Sequence, residues 1–140
     1  MLIVDESGAT LLLRGADPAA TAGETWWFTP GGGVEGSESL YETAVREVRE
    51  ETGVLLSELH GPIYSRDVAF SFEGEPFEQH EEFLYTRVQR FAVSNASWTA
   101  LERRTLIEWR WWSIDQLEST SETLHPDVLA SLVRQVIDAK

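Results

Sequence analysis

At 140 residues, 42% of them hydrophobic and with six Trp, six Phe and three Tyr, the chain has the size and content of one globular domain with a proper core. It contains no cysteine, which excludes a disulfide framework and a thiolate metal site. With 24 acids against 11 Lys and Arg, the net charge of −13 repels polyanions and excludes a long nucleic-acid partner, whereas a small nucleotide can still bind where a cation supplies local positive charge.

Residues 1–4 carry no basic leader, and no apolar run in the chain is long enough to span a bilayer, so the expectation is a cytoplasmic protein with no membrane partner, as a monomer or homodimer. Residues 1–4 and 10–14 read as short strands around the turn Asp5-Glu6-Ser7-Gly8. Residues 15–25 are small and polar and read as a surface loop, and 26–29 as a strand running into Pro30-Gly31-Gly32-Gly33. Ser39 with Glu42 is a capping box that starts a helix, and Gly53 stops it. Tyr41, Ala44, Val45 and Val48 give that helix an apolar stripe to pack on a sheet.

Residues 62–72 and 77–91 are β-rich runs around Glu73-Gly74-Glu75-Pro76, a second hairpin. Residues 95–104 read as polar and irregular, 108–112 as a strand and 114–117 as a helical turn. Residues 127–139 form an amphipathic helix after Pro126, with Val128, Leu129, Leu132, Val133, Val136 and Ile137 as its apolar side. Strands with one helix in the middle and another at the end predict an α/β sandwich, a mixed sheet between helices, over residues 1–140 as a single domain.

The chemistry is concentrated between residues 32 and 54: Gly32, five residues, Glu38, seven residues, then Arg46-Glu47-Val48-Arg49-Glu50-Glu51-Thr52-Gly53-Val54. Glu47, Glu50 and Glu51 are spaced i, i+3, i+4, so at 100° per residue they share one arc of about 100°, beside the apolar stripe. Three like charges this close oppose the helix and raise one another's pKa, and a divalent cation relieves both effects. Carboxylates are hard donors suited to Mg²⁺ or Mn²⁺. Gly31, Gly32 and Gly33 let the backbone turn sharply and approach a ligand with no Cβ in the way. A Glu-rich helix alone is most often a solvated acidic face. Joined to a glycine loop and Arg46 at fixed spacing, it reads as a site for metal-assisted hydrolysis of a diphosphate.

The segment resembles the Nudix box, G-x5-E-x7-R-E-U-x-E-E-x-G-U with U aliphatic, and matches it at every defined position. With each residue type at roughly 5–7% of an average protein, chance produces this pattern with a probability on the order of 10⁻⁸ per chain. The resemblance implies a Nudix-type α/β/α sandwich and a metal-dependent pyrophosphohydrolase acting on a nucleoside diphosphate linked to another moiety. It implies Glu50 and Glu51 as metal ligands, the Gly32 carbonyl as a further ligand, and Glu47 as a ligand or the general base. Arg46 and Glu38 would pair with each other or with Glu50 and orient the ligands.

Family members often add a Glu from outside the box. Glu81, Glu82, Glu102 and Glu108 compete for this role, and Glu102, in a loop before the Trp109-Arg110-Trp111-Trp112 strand, is favoured. Arg14 reads equally as a phosphate contact or a solvated surface residue. Trp27 reads as core rather than as a base-stacking ring. Phe70, with Phe72, Phe83 and Tyr85, is the candidate for the substrate cleft, while His80 and His125 read as structural.

Substrate choice is mostly silent. Ala69-Phe70-Ser71 occupies the stretch where related subfamilies carry a Pro for ADP-ribose or a Tyr for dinucleoside polyphosphates, and supports neither. A nucleoside triphosphate or another small nucleotide derivative is the default. The missing cysteine excludes the isomerases that share this fold, and the chain has no room for an added DNA-binding domain. The remaining alternative is a catalytically weak nucleotide-binding module, which the intact set of box acids disfavours.

Overall fold

The computed structural model describes residues 1–19 and 23–139. Its elements are β1 (Leu2–Val4), β2 (Thr10–Ala16), β3 (Thr25–Phe28), α1 (Leu40–Thr52), β4 (His60–Phe72), β5 (Glu75–Arg87), α2 (Ala100–Thr105), β6 (Leu106–Trp112), α3 (Ile114–Ser119), β7 (Leu124–His125) and α4 (Leu129–Asp138). The strands form one mixed sheet in the order β4-β5-β1-β2-β3-β7, with β6 paired to β2. β1 runs parallel to β5 and β3 parallel to β7, and the remaining pairings are antiparallel.

Strand alternation sorts the core into two layers. On one face Val48 of α1 packs with Met1, Ile3, Leu11, Leu84 and Trp111. On the other, Leu117 of α3 and Leu129, Leu132, Val133 and Val136 of α4 pack with Leu2, Val4, Leu12, Trp27 and Trp112. The sheet lies between helices, as the sequence pattern predicts. Among the described residues no helix is long and apolar enough to cross a membrane.

The expected strands at 1–4, 10–14, 26–29 and 108–112 appear within one to two residues of their ends, which is the usual uncertainty of such boundaries. Other expectations need correction. Residues 95–104 are not irregular throughout, because Thr99 and Glu102 form a reciprocal capping box that starts α2. The long hairpin turns on Glu73-Gly74 alone, with φ of 51° and 80°, and Glu75 and Pro76 already belong to β5. β5 ends at Arg87, short of Phe91, and α4 begins at Leu129 instead of 127. β2 runs on to Ala16, so the expected loop at 15–25 starts later, and its residues 20–22 lie outside the described part.

Tyr41, expected in the apolar stripe, is 45% exposed and stands outside the core, with its hydroxyl donating to Gly61 O of β4 at 2.8 Å. Ile137 is 40% exposed, on the rim of α4 beside Gly8.

Trp27 is core, with 1% of its surface exposed. It meets Trp112 edge-on at 5.1 Å between centroids, and its indole N–H donates to Glu122 at 3.1 Å. The Arg110 guanidinium lies 4.0 Å from the Trp112 ring centroid and 4.8 Å from that of Trp27, closing this layer with cation–π contacts. Trp27→Ala should therefore cost about 3–5 kcal/mol, read by denaturant or thermal unfolding. An unchanged melting temperature would show that the ring's main role lies elsewhere.

Candidate metal and phosphate site

The site begins with the ends of α1. Ser39 and Glu42 exchange capping hydrogen bonds at its start, and Gly53, at φ 83°, ends it with its N–H on Arg49 O. With Val48 fully buried against the sheet, Glu47 and Glu51 are turned toward the glycine loop. Glu51 is only 3% exposed and accepts the Gly31 N–H at 2.8 Å. The Glu47 carboxylate lies so close to Gly32 that a Cβ there would sit 2.3 Å from its carboxyl carbon. Glycine at position 32 thus lets the Glu47 carboxylate keep this place, since any side chain there displaces it.

One guanidinium ties loop to helix. Arg46 Nε and Nη2 donate to the two oxygens of Glu38 at 2.8 and 2.9 Å, and Nη2 also donates to Gly33 O at 3.0 Å. Nη1 donates to Glu47 at 2.8 Å and to Glu50 at 3.4 Å. The Arg46 hydrogen bonds hold the Glu38 carboxyl down to about 2, and the Glu38 and Glu47 carboxylates raise Arg46 above its ordinary value.

A third acid arrives from α2. Carboxylate oxygens of Glu47, Glu51 and Glu102 lie within 4.8 Å of one another. The segment before α2 docks on the C-terminal turn of α1, where helical carbonyls have no partner within the helix. The Trp98 indole donates to Glu51 O at 2.6 Å, and Ser94 N–H donates to Thr52 O at 2.9 Å. One Glu102 oxygen accepts the Thr99 N–H at 2.8 Å, so the capping box that starts α2 also orients this carboxylate.

Burial pushes the Glu51 carboxyl well up, with Glu102 and Glu47 adding to the rise and the Gly31 N–H opposing it. Burial also raises Glu47, against the pull of Arg46. An all-oxygen donor set, an acid pushed into the interior and a cradle that a Cβ would fill together fit a hard divalent cation, Mg²⁺ or Mn²⁺. Glu47, Glu51 and Glu102 are the residues that could hold it.

Glu50 stands outside the trio, 38% exposed at its side chain and held by Arg46. Glu81, Glu82 and Glu108 are engaged by Arg66, His80 and Arg14 respectively. Arg14 also donates to Thr25, so both its side-chain hydrogen bonds are within the protein. Phe70 lies on the long hairpin, stacked on Phe77 at 5.5 Å and 42% exposed. Trp98 was not singled out by the sequence. Its only sequence signal is position, directly before the Thr99-x-x-Glu102 capping pattern.

The family model described as NUDIX domain matches residues 1–135. A Nudix hydrolase of Bacillus subtilis (strain 168), YvcI, itself uncharacterised, is 48% identical over 31 residues, which are 22% of this chain and 20% of that protein. The crystal structure of a MutT protein from Methanosarcina mazei Go1 superposes with a TM-score of 0.61 at 27% identity, covering 96% of this chain and 86% of that one. The E. coli dihydroneopterin triphosphate pyrophosphohydrolase gives 0.66 at 16% identity, over 99% and 94% of the two chains. A C. elegans Ap4A hydrolase gives 0.57 at 17%, over 97% and 90%. The latter two share the fold. The chain belongs to the Nudix hydrolase family.

The raised Glu51 pKa makes a stability prediction. A carboxyl raised on folding binds its proton more tightly in the folded state, so metal-free stability falls as pH rises from the ordinary glutamate value of 4.5. Glu51→Gln removes that loss. In EDTA at neutral pH the variant should melt above the wild type, and the gap should close as pH falls toward 4.5. A variant less stable than wild type at neutral pH would contradict a destabilising buried charge.

Proposed function

We propose that the chain is a metal-dependent pyrophosphohydrolase that cleaves the phosphoanhydride bond of a nucleoside diphosphate linked to another group, a nucleoside triphosphate or another small nucleotide derivative, in the cytoplasm. The observation that carries this reading is the convergence of Glu47, Glu51 and Glu102, from two separate elements, against a glycine loop. The names of two structural neighbours, an Ap4A hydrolase and a dihydroneopterin triphosphate pyrophosphohydrolase, support the same reaction class.

Each group has a defined task. Glu47, Glu51 and Glu102 hold Mg²⁺ or Mn²⁺, which when bound neutralises phosphate oxygens and lowers the pKa of an attacking water. Gly31, Gly32 and Gly33 keep the approach to the acids free of side chains. Arg46, braced by Glu38 and Gly33 O, fixes where Glu47 points. Glu50, on the longest of the Arg46 hydrogen bonds and part-exposed, is the acid best placed to turn toward a ligand or to take a proton from the attacking water. Substrate selection falls to surfaces beyond the acids, where Phe70 and Arg14 are the candidates.

Release of phosphate or pyrophosphate from a nucleotide panel tests the reading. Turnover of at least one nucleotide is expected with Mg²⁺ or Mn²⁺ and none after EDTA. Turnover that survives rigorous chelation would overturn it. Metal and nucleotide binding without turnover would favour the weak binding module. Glu50→Gln and Glu51→Gln should each lower kcat by roughly 10²-fold or more, about 2.7 kcal/mol of transition-state stabilisation. Mn²⁺ affinity then separates the roles of Glu50: lost affinity marks a ligand, retained affinity with lost kcat marks a base.

A further inference from the structure

The hairpin of β4 and β5 is an arm. Each strand is 13 residues long, yet β5 joins the rest of the sheet only at its base, through Leu2↔Tyr85, Ile3↔Thr86 and Val4↔Arg87. Beyond that base most of the arm is exposed, including the stacked pair Phe70 and Phe77. Its tip is nevertheless fastened. The Glu73 N–H donates to both oxygens of Asp17, just past β2, at 3.1 Å, and Arg104 Nη2 donates to the Glu73 carboxylate at 2.6 Å. Arg104 lies in α2, two residues after Glu102.

The residue at the tip is locally unfavourable. Glu73 is the one non-glycine residue with positive φ among the described residues, in a two-residue hairpin turn where Asn or Gly is the preferred first residue. A Glu held there against its backbone preference has its compensation in the side chain, which is the group that reaches Arg104.

We propose that Glu73 and Arg104 form a clasp that closes the arm onto α2 and positions Glu102 against Glu47 and Glu51. Resting on the reading of Glu102 as a metal ligand, this makes both clasp residues positioning residues. α2 has only six residues and is held at two ends: Trp98 ties its approach to α1, and Arg104 ties its last turn to the arm. The third acid of the metal site is in this way set by the arm's own tip.

The test is Mn²⁺ binding by the whole protein, read from free Mn²⁺ in electron paramagnetic resonance, with no substrate present. Glu73→Asn keeps the turn, with a residue that suits positive φ, and removes the carboxylate. Arg104→Gln removes its partner. Simple electrostatics moves the two in opposite directions: loss of a nearby cation tightens Mn²⁺, and loss of an anion loosens it. The clasp predicts that both loosen it, by about 2- to 5-fold given the strength of exposed ion pairs, and that the double variant is no worse than either single one.

The melting temperature of Glu73→Asn should not fall, which separates loss of the clasp from loss of the fold. Arg104→Gln binding Mn²⁺ as tightly as wild type or more tightly overturns the clasp. So do additive losses in the double variant. Glu102→Gln is the control for the underlying reading: it should weaken Mn²⁺ more than either clasp variant. If it leaves affinity unchanged, Glu102 is not a ligand and the clasp falls with it; if it weakens affinity while the clasp variants do not, the ligand assignment stands and only the clasp fails.

Discussion

The structure around the site depends on one costly placement: the carboxylate of Glu51 is held inside the protein, 3% exposed, with two other acids beside it. Burial and like charge both oppose its ionisation. A protein tolerates such a group only where something compensates, and here the compensation is assembled from three directions. The Gly31 N–H meets the carboxylate, Arg46 balances the neighbouring Glu47, and the open cradle at Gly32 leaves space for the acids to face a shared centre. The cost in metal-free stability is what a cation at the proposed site would relieve.

Glu51 also links the site to the fold through its backbone. Its carbonyl is one that α1 cannot satisfy internally, and the Trp98 indole satisfies it. The loop drawn in this way carries Thr99 and Glu102, so capping the end of one helix delivers an acid from the start of another. Arg46 does the corresponding work on the other side, joining Glu38 and Gly33 O of the loop to Glu47 and Glu50 of the helix. The site is thus held by backbone hydrogen bonds and one shared guanidinium. A single surface ion pair contributes little on its own, but a network that shares one cation also fixes geometry.

The sequence was legible where structure is local. The spacing from Gly32 to Val54 determines which acids share an arc of α1, and strand alternation and helical periodicity sort Leu2, Val4, Leu12 and the α4 residues into one layer. It was illegible where structure depends on distant partners. β7 is two residues long and exists only because β3 offers an edge at Trp27 and Phe28. α2 was missed because it is six residues long among polar neighbours, although Thr99-x-x-Glu102 was a readable start signal. Projection at 100° per residue placed Tyr41 in the apolar stripe, but it cannot show that this side chain stays 45% exposed with its hydroxyl on Gly61 O of β4. The same projection placed Glu50 with Glu47 and Glu51. In the structure Arg46 holds it to one side, and Glu102 occupies the third position.

The most direct measurement is anomalous diffraction at the manganese edge from crystals of the protein grown with Mn²⁺. The account predicts a peak bounded by the carboxylates of Glu47, Glu51 and Glu102, with the glycine loop beside it. A peak held by other residues, with these three acids left uncoordinated at saturating Mn²⁺, would contradict it.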